Sequence, residues 1–548
     1  MKATPGGSAI RWGLSLGGGV LLALAFGIPS SLFPAILAPF VLVPWIVLFS
    51  RRGLRARAWM ILPGAYLFAI LAGSDLVAAA PLAGLLMPFL FIPFVLPFSL
   101  VLREWPEDSW FPAWLAAAIA WVGAEWIRCT FSPGSLEIHL LGHTLAGITL
   151  LIQVADILGS YGVSFLAALA SSAVAFELLD RWPRPASGPV AGASGRWLRR
   201  GVAGGGILMA ILYGVISLST METTDGPRVY AVRIGPSTEG PRAREKRYVE
   251  RTYRSVPQDG KADLIVWPKD AVADVYLYDP DYTRDMQSLG NWFECPFLIG
   301  ARNVQPRYRD TFRNVVVHVT PEGQPAREYS QMLLLPGLEY GPLERQLRRL
   351  EAGGGEWAGS LERASRWLVG GWLDSVPRLD PGRRLLTFDL RDDLSYGAPL
   401  GSEVMSHAWC REAREKGAKF LISLDRSRIA SARHDWAVLR SATFRAVENR
   451  ISVLRIEEGG LSYLIDPAGR LRQMSGGGEA SGPAFQVDVP LLATSAEPAP
   501  LGGELFGRLA AALTVLLLGG VLMRPSDART KEGGSLRAGG KDFPDRGT

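Results

Sequence analysis

Apolar positions along the chain fall into two patterns, long stretches near both ends and short runs between them. The long stretches, several of them interrupted by Pro or Gly, predict membrane-spanning helices. They lie at about residues 12–28, 32–49, 58–73, 77–101, 111–127, 161–179, 201–218 and 505–523. We therefore expect about eight spans, with a large extramembrane domain inserted before the last one.

The region between the long stretches contains short apolar runs bounded by polar and turn-forming residues. These runs are RVYAVRIG (228–235), DLIVWP (263–268), PFLIGA (296–301), NVVVHVT (314–320), RLLTFDL (384–390), KFLISL (419–424), ISVLRI (451–456) and LSYLID (461–466). Helical periodicity at 406–417 and 438–450 separates some of them, and 321–325 and 465–471 are typical of hairpin turns. Strands that alternate with helices predict an α/β domain.

The two patterns divide the chain into four parts. We predict an N-terminal membrane domain of about seven spans at 1–220, an α/β domain at 221–500, a C-terminal transmembrane helix at 501–525 and a basic tail at 526–548.

Basic residues mark one side of the predicted membrane domain. Arginines cluster after the second span (51–57), after the sixth span (181–200) and in the tail, whereas the loops after spans one, three and five are nearly free of them. Because positive loops stay in the cytoplasm, we expect both termini inside and residues 220–500 outside. The net charge of +6 and the pI of about 9.2 are then mainly orientation signals. We predict no nucleic-acid partner.

Cysteine and histidine spacing predicts neither a metal site nor a cofactor. The three cysteines, Cys129, Cys295 and Cys410, have no metal-binding or disulfide spacing, and the five histidines are scattered.

Several segments resemble one protein family. These segments are AEWIR (124–128), LIQVADILGSYGVSF (151–165), LIVWP (264–268), LLPGLEY (334–340) and RAVENRISVLRIEEGGLSYLIDPAGRL (445–471). Together with the span pattern they are similar to the apolipoprotein N-acyltransferases of the nitrilase (carbon–nitrogen hydrolase) superfamily. The resemblance implies an extracytoplasmic nitrilase-like four-layer αββα sandwich in a bacterial inner membrane. It also implies phospholipid and lipoprotein as partners.

The resemblance further implies acyl transfer from a phospholipid to the amino group of a lipoprotein. In that chemistry a Cys thiolate attacks the ester, a Glu accepts the thiol proton, and a Lys with backbone N–H groups stabilises the oxyanion.

All three catalytic positions are substituted in this chain. Lys269 follows Trp-Pro, where the family has its Glu, and Gln331 stands five residues before Pro336, where the family has its Lys. The nearest match to the family's I-C-Y-E turn is LSYG (394–397), which puts Ser395 at the Cys position, with an alignment uncertain by several residues. Residues 296–409 contain no Cys, so no shift within them restores the thiol.

Four interpretations of these substitutions remain open. In the first, the protein is an active N-acyltransferase or amidase that transfers an acyl chain from phospholipid with a Ser395–Lys269 dyad, in which an unprotonated Lys is the base and its pKa must be lowered. In the second, the site is degenerate and the protein is a lipid- or lipoprotein-binding pseudoenzyme that partners an active paralogue, with Lys269 as a headgroup contact. The third is a membrane scaffold that binds no lipid, and the fourth is a misalignment that brings in Cys295 or Cys410. We favour the pseudoenzyme.

Two further residues are assigned supporting roles. Glu339 matches the family's second loop Glu, with a structural pairing role as the alternative. Tyr396 is either a substrate contact or a packing aromatic.

Overall fold

The computed structural model covers the chain from end to end, and most of both domains can be described. The described residues are 5–51, 54, 56–79, 84–85, 87–90, 92–106, 109–131, 137–182, 193–235, 240–258, 261–272, 280–304, 311–335, 339, 360, 378–426, 431–476, 484–493 and 502–523. The predicted basic tail at 526–548 lies outside them.

The membrane part consists of helices on both sides of the α/β part in sequence. They are α1 (Pro5–Gly27), α2 (Phe33–Leu37), α3 (Val43–Ser50), α4 (Ile61–Ala72), α5 (Ser74–Ala79), α6 (Leu96–Arg103), α7 (Ala113–Phe131), α8 (Thr149–Ile152), α9 (Ala155–Arg181), α10 (Ala193–Thr220) and, after the α/β part, α15 (Gly502–Leu522). Short 3₁₀ segments at Ala38–Phe40, Ala58–Met60, Met87–Leu90, Ile92–Val95 and Leu141–Leu145 connect several of them.

Five helical segments among the described residues are long and apolar enough to cross a bilayer. They are Gly7–Gly27, Phe33–Ser50, Ala155–Arg181, Ser194–Thr220 and Gly503–Leu522. Ala58–Ala72 and Ile92–Arg103 are apolar but shorter. An apolar helical part is therefore confirmed, while the count of eight spans stays a prediction.

A break in α9 brings two helices of the membrane part into backbone contact. Gly159 has φ of 65°, outside the helical region, and a Cβ there would lie 2.1 Å from the Cα of Gly503 in α15. Only a residue without a Cβ allows this approach. Just after the break, the Ser160 N–H donates to Oε1 of Glu448 at 2.7 Å, so the kink also exposes a donor to the α/β part.

Three sheets and four helices are seen among the described residues of the α/β part. Its strands are β1 (Thr223–Thr224), β2 (Arg228–Val232), β3 (Leu264–Val272), β4 (Phe297–Val304), β5 (Thr311–Val319), β6 (Pro325–Ser330), β7 (Arg378–Leu379), β8 (Thr387–Arg391), β9 (Leu394–Gly397), β10 (Ala418–Asp425), β11 (Ser452–Glu457), β12 (Ser462–Ile465), β13 (Leu471–Ser475), β14 (Ala484–Asp488) and β15 (Leu491–Leu492). Its helices are α11 (Pro241–Ser255), α12 (Pro280–Phe293), α13 (His407–Glu415) and α14 (Ala432–Asn449), with a 3₁₀ turn at Gly401–Met405.

The two larger sheets share one apolar core. The first has the order β14-β2-β3-β4-β5-β6, with β7 beside β5, and the second has the order β13-β12-β11-β10-β9-β8. Val266 and Leu298 of the first sheet pack with Phe420 and Leu454 of the second in one cluster. The opposite face of the first sheet packs on α11 and α12. This confirms the predicted α/β domain, because all eight predicted strands and both helical segments are present.

The register of the first sheet is irregular where β3 reaches the candidate site. Parallel pairing of β3 with β4 is regular up to Trp267 and resumes at Val272 after a shift. Asp270, within the irregular stretch, has φ of 57°. The bulge turns Lys269 out of the strand pattern, because bulged residues re-aim their side chains.

Helix α14 lies against the membrane part, and three buried arginines, two in the helix and Arg450 directly after it, make contacts there. Arg440 donates to the carbonyl oxygens of residues 26, 28 and 30, at and just after the end of α1. Arg445 binds the carboxylates of Glu137 and Glu448, and Arg450 binds those of Asp156 and the amide oxygen of Gln153. We refer to Arg440, Arg445 and Arg450 as the arginine row. These contacts fix the α/β part on the membrane part.

Candidate functional site

Lys269 forms a buried ion pair at the end of β3. Its Nζ lies 2.7 Å from Oε1 of Glu339, and the two side chains are 8% and 14% exposed. Glu339 was predicted to have a supporting role, and the structure places it directly against Lys269.

Gln331 and Asn314 complete a small polar network around Glu339. Gln331 Nε2 donates to Oε2 of Glu339 at 3.2 Å and to the Leu333 carbonyl oxygen at 2.9 Å. Asn314 Nδ2 donates to Oε1 of Gln331 at 2.7 Å. The Gln331 amide therefore has partners on both sides, and it carries no charge.

Gly401 faces the same point in space. Its φ is +58°, and a Cβ at this position would lie 3.3 Å from Lys269 Nζ and 3.6 Å from both Gln331 Nε2 and Asp425 Oδ1. Whatever side chain occupied position 401 would therefore be surrounded by the side chains of β3, β10 and the Gln331 loop. We refer to Lys269, Gln331, Glu339, Gly401 and Asp425 as the candidate site.

The structure corrects the predicted position of Ser395. LSYG is not a turn but strand β9, and the Ser395 hydroxyl donates to Oδ1 of Asp389 on the neighbouring strand at 2.7 Å. Ser395 pairs with Ala418, the first residue of β10, whereas Asp425 of the candidate site is the last. At about 3.3 Å per residue, these ends are roughly 23 Å apart. The predicted Ser395–Lys269 dyad is therefore not formed.

The turn that follows β9 explains the displacement. Leu400 to Glu403 read L-G-S-E, which aligns with the family's I-C-Y-E when Gly401 takes the Cys position and Glu403 keeps the Glu. The left-handed backbone conformation occurs at Gly401, six residues after Ser395. The signal in the sequence was the Glu two residues after a glycine.

Tyr396 and the two cysteines of the α/β part are packing residues. The Tyr396 ring is fully buried between Phe388 and Phe420, and its hydroxyl contacts Nδ1 of His318 at 2.8 Å. Cys295 and Cys410 are buried, and burial raises the pKa of both thiols. Neither thiol has the thiolate character that a nucleophile needs.

Glu403 holds the loops of the candidate site in place. Its Oε1 accepts from the Tyr329 hydroxyl at 2.7 Å and from the Met332 and Leu333 N–H groups, and its Oε2 accepts from the Leu400 N–H at 2.9 Å. One buried carboxylate thus connects the Gln331 loop to the Gly401 turn.

The charges around Lys269 keep it protonated. Burial lowers the pKa of Lys269, but the carboxylates of Glu339, Asp425 and Asp270 outweigh burial, and the pKa is raised above its ordinary value. The pKa of Asp425 is lowered, because Arg455 and Lys269 together outweigh its burial. Lys269 is therefore a fixed cation at neutral pH and has no lone pair with which to accept a proton.

An apolar cavity of about 320 Å³ adjoins the candidate site. Leu335, whose N–H donates to Glu339, and Met405, at the end of the Gly401 turn, form part of its wall. The rest is mainly membrane-part side chains, including Phe26, Ala65 and Ala69. A long apolar group would find complementary walls here.

Comparison with known sequences gives a consistent result. A sequence model of the apolipoprotein N-acyltransferase N-terminal domain matches residues 18–173. Apolipoprotein N-acyltransferase 2 of Treponema pallidum is 24% identical over 74% of this chain and 73% of its own length. The apolipoprotein N-acyltransferase of Allorhizobium ampelinum is 26% identical over 84% of this chain and 86% of its own length. The chain is similar to apolipoprotein N-acyltransferases over most of its length.

The chain is also similar to a further apolipoprotein N-acyltransferase and to one solved structure. The apolipoprotein N-acyltransferase of Rhodopirellula baltica is 32% identical over 45% of this chain, and the match spans 42% of that protein's length. Saccharomyces cerevisiae Nit3, a member of branch 10 of the nitrilase superfamily, is 15% identical over 52% of this chain and 95% of its own, with a TM-score of 0.36.

Lys269, which follows Trp-Pro, and Gln331, five residues before Pro336, converge on Gly401 in the folded chain. The residues that sequence reasoning missed are Gly401, Glu403 and Asn314.

Proposed function

We propose that this apolipoprotein N-acyltransferase family protein binds phospholipid or lipoprotein without transferring an acyl chain. The observation that carries the proposal is Gly401. Covalent acyl transfer needs a nucleophile at the point where Lys269, Gln331 and Asp425 converge, and glycine supplies none.

The electrostatics of the candidate site support the same proposal. A general base needs a lone pair at neutral pH, and Lys269 is held protonated by its carboxylate neighbours. The polar groups satisfy one another, since Glu339 is engaged by Lys269, Gln331 and the Leu335 N–H. An ion pair thus occupies the place where an oxyanion would develop.

The adjoining cavity supports the binding half of the proposal. Its walls come from both parts of the protein and are mostly apolar, which suits an acyl chain better than a soluble metabolite. The occupant would be a phospholipid or the lipid-modified end of a lipoprotein, and an active paralogue would carry out the transfer.

The membrane arrangement is part of the proposal. We place the protein in a bacterial inner membrane with both termini in the cytoplasm and with the α/β domain, residues 221–500, on the outer side. The arginine-rich loops at 51–57 and 181–200 support this orientation.

The test is incubation of the purified full-length chain in detergent with a phospholipid that carries a labelled acyl chain. Intact mass reports acyl-protein, and co-purified label reports binding. We expect bound phospholipid and no adduct. An adduct on the wild-type chain would overturn the non-catalytic proposal, and loss of that adduct in Ser402→Ala or Ser395→Ala would identify the nucleophile.

Two sets of variants make the test more specific. The triple variant Lys269→Glu, Gln331→Lys and Gly401→Cys reinstalls the family's set, and we expect it to form a thioester adduct that the wild type does not. Ala69→Phe fills the cavity and should reduce bound label, whereas Leu71→Phe on the same helix, outside the cavity lining, should not. Equal binding by these two variants would favour a scaffold that takes up no lipid.

A further inference from the structure

A second cavity, of about 340 Å³, lies far from the candidate site. Lys419 and Arg414 line it, at the start of β10 and the end of α13. Lys419 precedes Asp425 of the candidate site by six residues along β10, which is roughly 20 Å of strand. The two cavities are therefore at opposite ends of one strand, and their ligands would not meet.

Charged side chains dominate the second cavity. Those that line it are Arg391, Arg414, Lys419, Arg450, Asp225 and Asp393. Arg450 pairs with Asp156 and Arg391 lies 3.5 Å from Asp263, so Arg414 and Lys419 carry the remaining positive charge of the lining, against Asp225 and Asp393. Arg414 is buried, whereas both carboxylates are exposed. Because water screens the exposed charges more than the buried ones, the interior of the cavity is positive.

The cavity is located where the chain leaves the membrane part. Helix α10, one of the candidate spans, ends at Thr220, and Thr224 of β1 lines the cavity only four residues later. This distance is at most about 14 Å of extended chain. Arg450 also donates to the Ser217 hydroxyl in the last turn of α10, at 3.0 Å. The cavity thus lies beside the end of a candidate membrane span.

We propose that this cavity is an anion site that binds the phosphate of a phospholipid headgroup at the outer membrane surface. Lys419 and Arg414 supply the charge-assisted hydrogen bonds, since planar guanidinium and ammonium groups are the usual partners of phosphate oxygens. Burial lowers the pKa of Arg414, and a bound anion would oppose that effect.

The proposal goes beyond the proposed function and does not depend on it. It needs neither acyl transfer nor the apolar cavity, and a phosphate ester in this place would anchor the α/β domain to the lipid surface. A free phosphate would satisfy the same groups, so the experiment has to distinguish the two sources.

The test uses the purified full-length chain in detergent, with phosphatidylglycerol as the probe and native mass spectrometry as the readout. Lys419→Gln should weaken phosphatidylglycerol retention by about tenfold, the effect of losing one charge-assisted hydrogen bond. Lys416→Gln is the matched control, because Lys416 is exposed, pairs with Glu412 and does not line the cavity. A comparison of phosphatidylglycerol retention by Arg414→Gln and by Arg411→Gln repeats the test with a second pair of variants.

Competition with inorganic phosphate separates the two sources of the anion. If the protein retains phosphatidylglycerol in excess inorganic phosphate and does not retain diacylglycerol, the result supports a lipid headgroup as the ligand. Displacement by inorganic phosphate supports the same site with a soluble phosphate as its ligand. Equal retention by the cavity variants and their matched controls would overturn the proposal. In an Ala69→Phe background, Lys419→Gln and Lys416→Gln should still differ in phosphatidylglycerol retention by the same factor. Binding at the second cavity can therefore be distinguished from binding at the apolar cavity.

Discussion

Replacement of Glu339 by Gln tests how strongly the Lys269 ion pair stabilises the folded protein. The substitution keeps the shape of the side chain but removes the nearest counter-charge of a buried ammonium group. At the 2.7 Å separation, the Coulomb attraction in a medium of effective dielectric constant near 20 is about 6 kcal/mol. Part of this is offset by desolvation, and breaking a buried pair on one side costs about 3–5 kcal/mol.

We expect Glu339→Gln to lower the free energy of unfolding by about 3 kcal/mol, since Asp425 still faces Lys269. Lys269→Met should cost less, because the Glu339 carboxylate keeps the donors of Gln331 and Leu335. The double variant should be more stable than the sum of the two single effects predicts, because the two residues are in direct contact.

The assay is urea unfolding of the full-length chain in detergent, followed by tryptophan fluorescence. Glu412→Gln is the control, because its ion pair with Lys416 is exposed and is expected to contribute less than about 1 kcal/mol. The reasoning is refuted if Glu339→Gln and Glu412→Gln shift the midpoint equally, or if the effects of the two site variants are additive.

Three further variants test separate features. Gly401→Ala should lower stability by about 1–2 kcal/mol because of its positive φ, whereas Gly204→Ala, on a helix with open space around it, should not. Arg445→Met should cost about 3–5 kcal/mol by removing the buried cation that Glu137 and Glu448 share, with the partly exposed Arg411→Met as the control; equal urea midpoints would contradict this. The pKa of His407 is raised, because attraction by the Glu448 carboxylate outweighs the effect of burial. The contribution of His407 to the free energy of unfolding is therefore fully present below the unfolded pKa of about 6.5 and is lost as pH rises through the folded pKa. His407→Gln should therefore flatten the stability profile above pH 6.5.

Strands with mostly apolar residues could be predicted from sequence, while edge strands could not. KFLISL became β10, in which almost every residue is buried. PAREYS became β6, an edge strand in which only Tyr329 is fully buried, so it carried no apolar run. LSYG was interpreted as a turn because its four residues match a catalytic motif better than they match a strand. For β6 and β9, packing against the rest of the fold determines which residues are buried, and the local sequence does not show this.

Residues of the candidate site could be predicted from the sequence where a recognisable motif or spacing lies beside them. Lys269 follows a distinctive strand end, and Gln331 could be located by counting from Pro336. Gly401 could not be located in this way, because glycine has no side chain for a chemical motif to recognise. What identifies Gly401 is its positive φ and the three side chains that converge on it, and both are properties of the folded chain.

The arginine row has a consequence for how the protein can be divided. Cutting the chain near residues 221 and 500 would separate three buried guanidinium groups from their carbonyl and carboxylate partners in the membrane part. The excised α/β half would expose these cations, with only Arg445 keeping a carboxylate, that of Glu448, and the membrane half would lose the arginine partners of Glu137 and Asp156. The two halves are thus a single cooperative unit rather than portable modules, and truncation of either one should destabilise the other.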